Sequence, residues 1–276
     1  MGGVNLTNEE HPVDSLWASG GNAGRLAGAT VALLCALAIL PASVGLSGCV
    51  PGLGESGRTE PQMLEYLEQK YDEPFHLYAD VRNRYYYGSD KFIVYPEGEP
   101  DALALAYWDD QGEPRDTYVQ ARWSEELTRQ LLPNVRQALG PDVVMKAYPL
   151  VAQDRLPAPD QQLPAFAEFL DTTSDCTVVI VVAVQSSTDA ADIDRVASGL
   201  HQVYSMTESI GSDRFSVAAA IVDDLGAVQE HVRTAAVNNT SWQNVGDAVK
   251  AYVLLDSANP PADANDVVAR MTVVGD

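Results

Sequence analysis

The apolar positions of this chain fall into three regimes. Between Leu26 and Leu46 they form one uncharged run holding Val31, Leu33, Leu34, Leu37, Ile39 and Leu40. That run reaches the ~20 residues a bilayer-spanning helix needs, and it also has the make-up of a signal-peptide core. From Thr59 onward, helical and strand periods alternate. A Thr59-x-x-Gln62 capping box opens a helix with Met63, Leu64, Leu67 and Tyr71 on one face. Phe75 to Val81, Lys91 to Tyr95 and Ala102 to Trp108 read as strands, separated by turns at Tyr87-Gly88-Ser89-Asp90 and Pro96-Glu97-Gly98-Glu99-Pro100 and followed by Asp109-Asp110-Gln111-Gly112. Leu127, Leu131, Leu132, Val135 and Leu139 then mark a helix that Pro133 should kink or divide and Gly140-Pro141 should stop, ahead of a strand over Val143 to Leu150.

The third regime follows a stretch rich in Pro, Gln and Asp over 152–164, a candidate boundary. Ala165 to Leu170 reads as a short helix and Thr177 to Val184 as a fully buried strand. Ile193, Val196, Ala197, Leu200, Val203 and Tyr204 repeat at helical spacing. Phe215 to Val222 is a strand, and Val228, Val232 and Ala235 mark a helix. Ala251 to Leu255 and Val267 to Val274 read as the last two strands. The fold class expected is α+β or α/β, a mixed sheet packed with helices, with two consecutive subdomains conceivable. The division is then 1–48 as amino-terminal extension and signal peptide, 49–58 as tether, 59–151 as an α+β subdomain, 152–164 as linker and 165–276 as an α/β subdomain.

The end of the apolar run adds chemistry. Pro41 and the small residues Ala42, Ser43, Gly45, Ser47 and Gly48 weaken the helix and leave an extended approach to Cys49 that a peptidase could bind. Leu46-Ser47-Gly48-Cys49 resembles the lipobox of bacterial lipoproteins. The resemblance implies diacylglycerol transfer to the Cys49 sulfur, cleavage before Cys49 and, often, acylation of the new amino terminus. Each buried methylene of such chains contributes about 0.8 kcal/mol, so two or more chains anchor stably. The alternative is an uncleaved transmembrane helix with an incidental cysteine. Glu9, Glu10 and Asp14 precede Arg25 without any Lys or Arg, which fits either translation starting later in this stretch or a cytoplasmic tail. Residues 61–149, with Tyr66-Leu67-Glu68-Gln69-Lys70-Tyr71, Asp116-Thr117-Tyr118 and a Trp123-bearing helix, loosely resemble a module of Gram-positive lipoproteins of generally unassigned function. That resemblance brings no catalytic residue with it.

Charge then narrows the partners. Against 17 Lys and Arg stand 39 Asp and Glu, a formal charge of −22, and no basic patch interleaves with aromatics, so phosphate-rich nucleic acid is not an expected partner. The expected partners are the membrane, through the lipid anchor, and an unknown protein or envelope component. Cys35 lies in the apolar run and Cys49 at the lipobox. Cys176 alone remains in the body, opening a β-branched run as a buried structural thiol, so no disulfide supports the fold.

Candidate chemistry is thin, and no catalytic, cofactor or metal residue is assigned. Gly52-x-Gly54-x-x-Gly57 has dinucleotide-loop spacing but follows a membrane segment instead of a strand, so it reads as tether. Asp109, Asp110, Glu113 and Asp116 could ligate calcium, but they lack the calcium-loop spacing and read as a charged hairpin tip. Tyr85, Tyr86 and Tyr87 with Tyr107 and Trp108 could form a carbohydrate or peptide platform, with strand packing favoured. His76, His201 and His231 are isolated in sequence. Asp171, Asp175, Asp189, Asp192 and Asp194 surround a strand-to-helix turn, where helix capping is the favoured role. The leading expectation is a non-enzymatic, lipid-anchored extracytoplasmic binding protein. The alternatives are a ligand-binding component of a transport or sensing system, for which the chain is small, and a metal-assisted hydrolase using dispersed carboxylates.

Overall fold

The first helix forms where local chemistry asks for it. Thr59 is extended, its N–H donates to Gln62 Oε1 at 3.0 Å, and a proline sits in the first turn of α1 (Glu60–Tyr71). Met63 and Leu67 are fully buried, and Leu64 and Tyr71 are partly so. The helix ends at Asp72, which adopts a left-handed φ of 55° and bonds back to the Glu68 carbonyl. In the computed structural model the described residues are 59–81, 91–157, 163–173, 175–238 and 240–274. All the elements described lie in one compact unit, Gly54–Asp276.

A four-stranded antiparallel sheet follows α1 in the order β1 (Phe75–Val81), β2 (Lys91–Pro96), β3 (Ala104–Trp108) and β4 (Pro114–Asp116). Strand alternation sends Phe92, Val94, Ala104, Ala106 and Trp108 to the face covered by Met63 and Leu67. The three-residue β4 is absent from the sequence expectation. It forms because Pro114, Arg115 and Asp116 pair with Trp108, Tyr107 and Ala106 across the Asp109 turn.

The second sheet is mixed and runs β5 (Val143–Val151), β6 (Cys176–Gln185), β7 (Arg214–Val222), β8 (Val249–Asp256) and β9 (Thr272–Val273). Only β6 and β7 are parallel, with α4 (Ala190–Thr207) as their crossover. One face carries α2 (Tyr118–Leu139), α3 (Phe166–Leu170), α4 and α6 (Ala264–Arg270) over Val143, Met145, Ile180, Val182, Val217 and Val253. On the other face, Val228, Val232 of α5 (Gln229–Arg233), Ala235 and Trp242 pack on Val181, Ala183, Ala220, Val222 and Val249. The architecture is therefore α+β, with two sheets and six α-helices among the described residues.

Helix α2 joins the two sheets. Tyr118 and Ala121 pack in the core of the first sheet, whereas Val119, Trp123, Leu127, Leu131 and Val135 pack in that of the second. It passes unbroken through the exposed Pro133, whose missing N–H leaves one helix carbonyl without its usual donor. Its polar side chains also close the open edge of β5. Gln120 Nε2 donates to the Val151 carbonyl at 2.9 Å and Ser124 Oγ to the Ala147 carbonyl at 2.8 Å, and Thr128 Oγ1 accepts from the Ala147 N–H at 2.9 Å. Helix side chains thus stand in for the missing neighbour strand.

Two sequence expectations change here. The 152–164 stretch does not separate two sheets, because β5 before it pairs over its whole length with β6 after it. The Trp123 indole N–H also donates to the Pro164 carbonyl at 2.9 Å, tying the far end of that stretch to α2. Half of the strand expected over Val267 to Val274 is helix. Asp263 accepts from the Asp266 N–H at 2.9 Å as an N-cap, and Asp266 pairs with Arg270 one turn on, so α6 forms and only two residues are left for β9.

Candidate functional site: a charged groove between a turn and a helix

The Pro96–Pro100 turn expected from sequence becomes one wall of a surface groove. Gly98 takes φ +81°, a backbone setting that suits glycine, and the turn closes with Ala102 N–H to Glu99 O at 3.0 Å. The opposite wall is α2, where Arg122, Glu125, Glu126 and Arg129 recur at three- and four-residue spacing and so share one stripe. Between them lies a space of about 330 Å³.

Three cations from three different elements fix the turn. Arg122 of α2 pairs with Glu99 at 2.7 Å. Lys146 of β5 is 5% exposed, and its ammonium donates to the Asp101 carbonyl at 2.8 Å and to Glu125 Oε1. Arg233 of α5 donates to Asp101 Oδ1 at 2.7 Å and to the Pro100 carbonyl, while its guanidinium lies 4.9 Å from the Tyr78 ring centre. Tyr78 in turn donates to Glu230, which holds its phenol above the ordinary range. Burial disfavours the charge on Arg122, but Tyr118, Glu99 and Glu73 more than offset this. Glu126 accepts from the Phe166 N–H at 3.2 Å and from Gln130 at 3.0 Å. Among the described residues, Arg129 alone of the groove's charges has no carboxylate or hydrogen-bond partner.

A second polar cluster is structural. Asp116, 2% exposed, accepts from Tyr71 OH at 2.7 Å and from the Tyr118 N–H at 3.0 Å, and it pairs with Lys70 at 2.7 Å. Burial and Asp116 hold the Tyr71 phenol far above its usual range, and burial with the Glu73 bond does the same for Tyr118. Burial opposes the Lys70 charge, yet Asp116 outweighs it and raises the ammonium's pKa. The Asp116 carboxylate accepts from Lys70 and Tyr71 of α1 and from Tyr118 of α2, so the cluster pins α1 to the start of α2.

The candidates named from sequence are dispersed. Asp109 caps its own turn through the N–H groups of Gln111 and Glu113 and pairs with Arg115, which lowers its carboxyl, whereas Asp116 points into the core. Tyr107 and Trp108 are adjacent on β3 and so face opposite sides, Trp108 in the core and Tyr107 across from Lys91. Tyr85, Tyr86 and Tyr87, Cys49 and the 52–57 glycines lie outside the described residues. His76 meets Tyr95, and His231 meets Trp242 at 4.5 Å, where burial lowers its pKa. Asp189 caps α4, accepting from the Asp192 N–H, and the Ser187 hydroxyl lies within hydrogen-bonding reach of the carboxylates of Asp189 and Asp192. Cys176 is fully buried, its thiol pushed up to about 11 by burial. Among the described residues no three His, Cys, Asp or Glu side chains are placed to share a metal ion, and no helix is long and apolar enough to cross a membrane.

The groove itself was missed from sequence. Lys146, a lone cation inside Val143-Val144-Met145-Lys146-Ala147, was the available signal, since a buried lysine must find a partner.

Comparison with known proteins adds little to this geometry. No protein-family model matches the chain, and no curated protein does either. Among solved structures it is similar to a DUF5037 family protein from Ruminococcus gnavus ATCC 29149, with 10% identity and a TM-score of 0.45, over 71% of this chain and 89% of that one.

Proposed function

We propose that this chain is a lipid-anchored, extracytoplasmic protein of the cell envelope that acts by binding. The observation that carries the reading is Leu46-Ser47-Gly48-Cys49 at the end of an uncharged apolar run. A thiol preceded by small residues is what lipid transfer and cleavage require, and the glycines at 52, 54 and 57 suit a spacer. Ten residues, 50–59, extend at most about 35 Å, so the folded unit would work close to the membrane. The acidic balance of the chain supports solubility there and attraction to cationic partners. The charged groove between the Gly98–Ala102 turn and α2 is the surface on which binding is most economically placed, because its walls are already fixed by ion pairs.

The test is fractionation of cells expressing the full chain. Wild type should sediment with membranes and release into detergent, while Cys49→Ala should keep its apolar leader and its full length. Wild type that stays soluble, or a Cys49→Ala variant processed like wild type, would contradict the proposal.

A further inference from the structure

We infer that the groove binds a small zwitterion, a free amino acid or dipeptide, with its carboxylate on Arg129 and its ammonium on Glu99 and Glu125. The inference goes beyond the anchoring proposal and stands independently of it.

Charge carries the argument. The walls hold both signs in alternation, Arg122 and Arg129 against Glu99, Asp101, Glu125 and Glu126. Glu126 is taken up by the start of α3 and by Gln130, and Asp101 gives one oxygen to Arg233. Arg122 occupies one oxygen of Glu99 and Lys146 one oxygen of Glu125, which leaves the second oxygen of each as an acceptor. The free groups are thus one guanidinium on α2 and carboxylate oxygens both on α2 and on the facing turn. A guanidinium offers a planar fork that matches a carboxylate.

That pattern selects against other classes. A polyanion would meet four acids in the groove and the overall charge of −22. A divalent cation at those oxygens would meet the repulsion of Arg122 and Lys146 at close range, twice that met by a single ammonium. An apolar ligand finds only charged side chains, Gly98, Pro100 and Ala102 for walls. A zwitterion satisfies both free charges at once, and about 330 Å³ lies at the small end of ligand sites. The turn needs no rearrangement, since Arg122, Lys146 and Arg233 hold it from three sides.

The test is ligand-observed saturation-transfer NMR on the full chain in detergent, with dialanine as the probe. Solvent-exposed partners set the expected Kd on the order of 1 mM. Dialanine should show transfer, and N-acetyl-dialanine amide, blocked at both ends, should show none. Arg129→Gln and Glu99→Gln should each weaken binding about two- to fivefold, Arg129→Lys less, and Arg136→Gln, on the same helix outside the groove, should leave it unchanged. Circular dichroism on each variant checks folding, and Arg129→Lys keeps the test valid should Arg129→Gln unfold. The inference is overturned if dialanine gives no transfer, if the blocked peptide binds equally, if acetate binds as tightly as dialanine, or if folded Arg129→Gln binds like wild type.

Discussion

Replacing Asp116 by Ala removes the acceptor for three donors at once. Lys70, the Tyr71 hydroxyl and the Tyr118 N–H all converge on a carboxylate that is 2% exposed. A hydrogen bond to a charged group contributes about 1.5–3 kcal/mol, and a buried donor left unpaired costs about 1–3 kcal/mol. Lys70 retains 20% side-chain exposure and can turn to water, so its share is discounted. The Tyr71 hydroxyl and the Tyr118 N–H cannot follow it, and the loss should total about 3–4 kcal/mol, close to the cost of breaking a buried pair. Asp116→Asn keeps an oxygen for Tyr71 and should lose only about 1–2 kcal/mol. Urea unfolding followed by far-ultraviolet circular dichroism, at constant slope, reads both. A loss below about 1 kcal/mol for Asp116→Ala would refute the claim that this cluster fastens α1 to α2.

Three further outcomes follow from the same structure. Stability should fall on the alkaline side. Lys70, Tyr71, Tyr118 and Tyr148, the last pushed up to about 12, all titrate higher folded than at their ordinary values of 10.5 and 10.0, so their contribution is complete below about pH 10 and disappears as the pH rises through the folded values. Thermal melts from pH 8 to 12 check this, and a midpoint unchanged to pH 12 would contradict it. Thr128→Ala should cost about 1–2 kcal/mol and raise light scattering during refolding, because the Ala147 N–H and the β5 edge lose their cover. Gly199→Ala places a methyl 2.5 Å from the Ala138 carbonyl oxygen and 2.7 Å from Leu139, forcing α4 off α2; a cost of about 2–3 kcal/mol in urea is expected, against a gain if the contact were slack.

Where periodicity and capping agreed, the sequence was enough. The Thr59 box with Met63 and Leu67, the β-branched run of β6 and the apolar face of α4 all fall where their patterns place them. Two kinds of feature escaped. Val267, Val268, Val273 and Val274 look like a strand by composition, but Asp263 and the Asp266–Arg270 pair nucleate a helix within the same window. β4 was too short to carry a period, and it exists only through its partner strand. The groove was illegible for a different reason. Arg122, Glu125, Glu126 and Arg129 look like any solvated stripe until the Gly98–Ala102 turn, distant in sequence, is brought against them. The Asp109–Asp116 stretch shows the converse, since neighbours in sequence were sent by strand alternation to a turn tip and to the core.

Peptide mass spectrometry of the protein purified from its own membrane tests the central claim most directly. The account predicts that the first residue is Cys49, carrying a diacylglyceryl group, with residues 1–48 absent. An unmodified peptide spanning Gly45 to Gly52 would contradict it.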